Sequence, residues 1–148
     1  MLFRSWKGPA DCSAKVWLAR EERALRVRVE VADDERCAPP EGAAPNEGDC
    51  VEVVVADSRG TWARRFCFAP TERRGTCTRY DARIPFDADA GFTSETLEGG
   101  IRFNLIVNDS DCDRRESALG IATEAFLSDN PANVPTVRFA KQIGRAHV

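Results

Sequence analysis

The sequence predicts an all-β protein, an antiparallel two-sheet β-sandwich of jelly-roll-like form. Three observations predict it. Apolar and polar residues alternate in short segments of strand length, the period of a sheet with one buried face. Clusters of Gly, Pro, Asp and Asn divide these segments, as in a chain that turns back on itself repeatedly. No long stretch carries apolar residues at helical spacing.

Ser13–Arg20 places Ala14, Val16 and Leu18 opposite Lys15 and Trp17. A charged turn, Glu21-Glu22-Arg23, leads to Ala24–Val31, where Leu25, Val27, Val29 and Val31 face inward and Arg26, Arg28 and Glu30 outward. These two segments form a hairpin. Asp33–Gly48 holds three prolines and two glycines and reads as a long surface loop. Asp49–Asp57 is the third strand, with Val51, Val53 and Val55 on one face and Glu52 and Val54 on the other. Thr61–Ala69 is its hairpin partner and groups Trp62, Arg64, Phe66 and Phe68. The basic stretch Thr71–Arg79 has no clear pattern. Tyr80–Phe86 is a short strand interrupted by Pro85, which assigns it to a sheet edge. Asp87–Gly100 is polar and irregular, with room for one helical turn. Gly100–Asn108 alternates cleanly, with Ile101, Phe103, Leu105 and Val107 against Arg102, Asn104, Ile106 and Asn108. Ser117–Leu127 suits strand or helix alike, and Val134–Ala140 is the closing strand.

The 148 residues are enough for one domain with a real core. The domain is expected over residues 5–141. The tail 142–148, Gln142 to Val148, reads as non-native sequence and is set apart. That tail holds His147, the sole histidine, so nucleophilic triads and histidine-bearing zinc sites lack their imidazole. The net charge of −3, with 18 Arg and three Lys scattered along the chain, gives no electrostatic footprint for nucleic acid or anionic membrane. No apolar run approaches the roughly 20 residues that span a bilayer. Six cysteines (Cys12, Cys37, Cys50, Cys67, Cys77 and Cys112) fit either free thiols or one or two bridges.

Five phrases, in order, resemble family 9 carbohydrate-binding modules. They are Trp6-x-Gly8-Pro9-x-Asp11-x-Ser13; Val29-x-Val31-x-Asp33-Asp34; Gly48-Asp49-x-Val51-Glu52; Thr78-x-Tyr80-Asp81-Ala82-x-Ile84-Pro85-Phe86; and Phe103-Asn104-x-Ile106-Val107-Asn108-Asp109-x-Asp111. The resemblance runs from Trp6 to Phe139. It implies a jelly-roll-like sandwich that binds oligosaccharide or polysaccharide without catalysis. It further implies an accessory module of a secreted glycoside-hydrolase-type protein, extracellular or periplasmic and cut from a larger chain. Flanking domains as partners and a monomeric state go with that expectation. The alternative is a structural or interaction module of the same fold without sugar affinity. One departure favours the alternative, Pro45-Asn46-Glu47 where sugar-binding members carry a Trp; a second, Cys112 where a Gly is common, weakens the metal loop.

The candidate ligand-binding residues are Glu52, Trp62, Arg64, Asn104, Asn108 and Trp17. A carboxylate accepts strong hydrogen bonds from sugar hydroxyls, a guanidinium supplies a fork of donors, and an indole offers a platform for a pyranose face. Each has a plainer reading: Glu52 as a solvent-facing strand residue, Trp62 as core, the asparagines as backbone partners. Asp109, Asp111 and Asp113 alternate at the end of the best strand and are candidate ligands for a structural Ca²⁺. Arg114 and Arg115 can balance the same charges without metal. No catalytic residue is expected.

Overall fold

A computed structural model describes residues 12–33, 37–44, 47–61, 63–110, 115–120 and 134–139, with backbone alone at 109 and 115–119. The strands are β1 (Cys12–Arg20), β2 (Ala24–Asp33), β3 (Cys50–Asp57), β4 (Ala63–Phe68), β5 (Glu72–Arg74), β6 (Cys77–Pro85), β7 (Ile101–Ser110), β8 (Arg115–Gly120) and β9 (Thr136–Val137), with one short helix, α1 (Ser94–Gly99), before β7. They form two antiparallel sheets, ordered β1-β2-β6-β5 and β4-β3-β7-β8, with β9 pairing β7 beyond β8. The architecture is the all-β sandwich that the alternating pattern predicts.

The inward parity of each strand builds the core. Leu25, Val27, Val29 and Val31 of β2 meet Val51, Val53 and Val55 of β3 and Ile101, Phe103, Leu105 and Val107 of β7, all at 5% exposure or less. Burying these branched side chains between two sheets is the main favourable term in folding, at about 25 cal/mol per Å² of apolar surface. Register follows from the same parity, because a slip of one residue would turn the whole valine set outward. β1 pairs β2 through the expected hairpin, Val16 opposite Val29 and Leu18 opposite Val27.

Two elements differ from their sequence-based expectations. β6 is not an edge strand: it lies between β2 and β5. Pro85 is its last residue, opposite Ala24, where a missing N–H interrupts no ladder. The basic stretch before it, patternless in sequence, folds into β5 and a tight turn to β6. Gly75 supplies the positive φ (58°) for that turn. β5 has no apolar parity because its side chains serve ion pairs, Arg74 with Glu72 at 2.6 Å and Arg79 with Glu72 at 3.3 Å.

α1 begins with a capping box in which Thr93 and Thr96 satisfy each other's backbone N–H groups. Its Leu97 is fully buried. Arg20 at the end of β1 donates to Glu98 (2.9 Å) and Ser94 (2.6 Å), which ties the helix to the first sheet.

The outward face of the first sheet is held by charge. Asp81 on β6 accepts from Arg26 at both carboxylate oxygens (3.0 Å each) and from Arg28 (2.8 and 3.1 Å). The hydrogen bonds from Arg26 and then Arg28 hold its carboxyl well below the usual range, at about 2. A carboxylate depressed in the folded state stabilises the fold above its unfolded pKa, near 4, and loses that contribution as pH falls through about 2. Thermal melts should show an acid-dependent loss over that window that Asp81→Asn removes.

Candidate functional site

The second sheet is unusual on its outward side. Alternation along β3 and β7 turns Cys50, Glu52 and Val54 away from the core, together with Asn104, Ile106 and Asn108. In an ordinary sandwich these positions meet solvent. Here Cys50 and Asn104 are 0% exposed, Ile106 1%, Asn108 2% and Glu52 8%. A carboxylate, two amides and a thiol are therefore buried on the far side of the sheet from the hydrophobic core.

Register brings them together. Cys50 lies opposite Asn108, Glu52 opposite Ile106 and Val54 opposite Asn104. On the other flank, Glu52 lies opposite Cys67 and Val54 opposite Arg65. Glu52 Oε1 accepts from Asn108 Nδ2 at 2.6 Å, and Glu52 Oε2 accepts from Arg65 Nη1 at 3.0 Å. Asn108 Nδ2 also reaches Cys50 Sγ at 3.1 Å. The amide orientation is chemically forced, since the reverse would set its oxygen against the carboxylate. Its Oδ1 then points away and is buried without a hydrogen-bond partner. Such an acceptor costs about 1–3 kcal/mol and is normally met by an ordered water or a ligand donor. Burial pushes the Cys50 thiol up to about 12, so it stays protonated and takes no part as a nucleophile.

The start of β3 is held firmly. Asp49 accepts from the Cys37 N–H at 2.7 Å and from the Ser110 N–H at 3.1 Å, and its own N–H donates to the Cys37 carbonyl at 2.8 Å. One carboxylate thus joins the loop after β2, the start of β3 and the end of β7. The Gly48-Asp49 phrase is an anchor for the sheet that carries Glu52 and Asn108. The expected surface loop, Asp33–Gly48, is buried at Cys37 and Gly48, where it is anchored to the start of β3.

The sequence-predicted residues fall in four places. Glu52 and Asn108 touch, and Asn104 lies on the same face, fully buried, across from Val54. Arg64 does not join them: its register partner is the core residue Val55, and its ion pair is with Asp87 at 3.6 Å. The guanidinium that reaches Glu52 belongs to Arg65, one residue on and so on the opposite face. Parity along β4 could have selected Arg65, because Phe66 and Phe68 already mark the inward set. Trp17 is on β1 in the other sheet, half exposed, on the outward face of the sandwich away from Glu52. Trp62, Asp111 and Asp113 lie outside the described residues. Asp109 belongs to β7, its backbone opposite Ser117, beside an irregularity in the ladder at Asp109/Ser110. Among the described residues no group of three or more His, Cys, Asp or Glu is placed to hold a metal ion. Among the described residues Cys37, Cys50, Cys67 and Cys77 are free thiols. No helix among the described residues is long and apolar enough to cross a membrane.

No protein-family model matches the chain, and no curated protein matches it in sequence. Solved structures do match in fold. A family 9 carbohydrate-binding module from Caldicellulosiruptor kristjanssonii in complex with glucose aligns over 96% of this chain and 82% of its own, with a TM-score of 0.69 at 18% identity. A family 9 module from the same organism in complex with cellotriose aligns over 89% and 77%, with a TM-score of 0.63 at 18% identity. At that identity the likeness is one of backbone and topology. The fold of this chain is that of the family 9 carbohydrate-binding modules.

Proposed function

We propose that this chain is a non-catalytic carbohydrate-binding module that takes a saccharide on the outward face of β4, β3 and β7, around Glu52. One observation carries the reading: a nearly buried carboxylate on the non-core face is held at both oxygens by a guanidinium and an amide. Structural side chains on such a face are ordinarily apolar or solvated. A fixed array of acceptor and donor groups matches what sugar hydroxyls require, because its ordering cost is already met by the fold. The solved relatives of the same fold, held with glucose and cellotriose, support the same ligand class.

The wider role follows the resemblance: an accessory module of a secreted polysaccharide-degrading protein, beside other domains and acting as a monomer. The chemistry at Glu52 supports binding over turnover. Arg65 and Asn108 keep the carboxylate engaged, and the adjacent thiol is protonated. Calorimetric titration with soluble glucans, xylans and mannans tests the proposal. Heat of binding with at least one is expected; no heat with any overturns it. A specific feature favours the alternative of a structural module without sugar affinity: Pro45-Asn46-Glu47 replaces the aromatic residue expected there, and the same titration decides between the two.

Calcium at Asp109, Asp111 and Asp113 belongs to the same proposal, as a rigidifying ion at the end of β7. Three carboxylates at alternate positions form a hard-oxygen donor set of the kind Ca²⁺ prefers. A ligand bound only by the folded state raises stability by about 2.7 kcal/mol at roughly a hundredfold excess over Kd. The melting temperature should therefore be higher in calcium than in chelator, and Asp111→Ala should erase the difference.

A further inference from the structure

Among the described residues one large apolar side chain is exposed, Trp17, at 48%. It stands on the edge strand β1, on the outward face of the first sheet, on the other side of the sandwich from Glu52. A groove of about 270 Å³ opens beside it, lined by Trp17, Ala19, Arg26, Arg28 and Glu30. The register explains the grouping: Trp17 lies opposite Arg28 and Ala19 opposite Arg26. Nothing in the core needs an indole there, because Val16 and Leu18 supply the inward contacts of this strand.

The two arginines are fixed. Arg26 and Arg28 each place Nε and Nη2 on Asp81, so their planes are locked edge-on to one carboxylate. Arg28 Nη1 takes no part in those bonds. Glu30 is met by Arg79 at 3.0 Å. The two guanidinium charges of the groove therefore share one carboxylate, Asp81, with Glu21 at 3.7 Å from Arg26. The lining carries a surplus of positive charge beside a flat apolar surface, in a protein whose net charge is −3.

We propose that this groove is a second binding site, separate from the Glu52 face, for a saccharide bearing carboxylates, a uronic-acid chain. One ring type joins the two features the groove offers. Its C–H face lies on the indole of Trp17, and its carboxylate takes the outward N–H groups of Arg28 and Arg26. An acidic peptide would use the arginines and leave the indole bare. A neutral glycan would use the indole and leave the charge unmet. Being built on other residues and another sheet, the site stands or falls independently of the Glu52 site.

The test is calorimetric titration of the full chain with trigalacturonate and with a mannuronate trimer, each beside its methyl ester, which keeps the rings and removes the charge. Binding of at least one acid is expected, weakened tenfold or more in its ester and further weakened by added salt. Trp17→Ala should abolish it and Glu52→Gln should leave it unchanged. Arg28→Gln should weaken it about tenfold while Arg26 continues to hold Asp81, so a poorly folding tryptophan variant does not end the test. The proposal is overturned if neither acid binds, if acid and ester bind equally, if Trp17→Ala leaves binding intact, or if Glu52→Gln removes it.

Discussion

Gly48→Ala is expected to destabilise the fold by about 3 kcal/mol or more, at the top of the range for forced overpacking, seen as a drop in the denaturant midpoint at unchanged slope. A Cβ at this position would lie 2.4 Å from the Pro39 nitrogen, 2.7 Å from the Cys37 carbonyl oxygen and 2.8 Å from the Ala38 carbonyl carbon. All three are backbone atoms, so no side chain can swing aside. Relief requires moving either the loop after β2 or the start of β3, and Asp49 clamps the two together through hydrogen bonds in both directions. Gly99→Ala is the control: nothing lies within 4 Å of the place its Cβ would take, and the change should be near neutral.

Glu52→Gln is expected to lower affinity for a bound glycan by tenfold or more, about 1.4 kcal/mol, in the calorimetric titration that detects wild-type binding. The substitution preserves volume and one acceptor oxygen toward Asn108, but it replaces the charged acceptor for Arg65 with an amide. Arg65 then loses its fixed position beside residue 52. The cost to stability should be smaller, about 1 kcal/mol, because Arg65 is half exposed and its pairing is partly screened. Arg64→Ala should leave affinity unchanged, since its side chain is on the inward parity and pairs with Asp87. Arg65→Ala should lower it as Glu52→Gln does, and equal losses in Arg64→Ala and Arg65→Ala would contradict the assignment of Arg65.

The alternating segments translate directly into strands because period-2 burial is a strong local signal. β2, β3 and β7 keep their predicted parity residue for residue at the core. Where the pattern is weak, something other than burial shapes the chain. β5 is a short charged strand in which Glu72 and Arg74 are ion-paired, and a strand stabilised through its charges leaves no apolar imprint. β6 is an interior strand despite Pro85, because a proline at the last position removes nothing from the ladder. The site is legible in part. Glu52 and Asn108 are both candidates on sequence alone, but that they touch follows from β3 and β7 being neighbours, which pairing alone decides. The burial of Asn104 and Ile106 on the outward face is not legible. Alternation assigns a polar parity, not how deeply that parity is covered. Choosing Arg64 over Arg65 is a one-residue parity question that Phe66 and Phe68 answer once β4 is known to begin at Ala63.

The most direct test of a saccharide on the Glu52 face is a map of backbone amide shifts while cellotriose, or whichever glycan gives heat, is titrated into isotopically labelled protein. Expected are concentration-dependent shifts at Cys50–Val54, Arg65–Cys67 and Asn104–Asn108, with the amides of β1 and β2 unmoved. Saturable binding that leaves those three stretches still, or shifts confined to the opposite sheet, would contradict the placement of the ligand at Glu52.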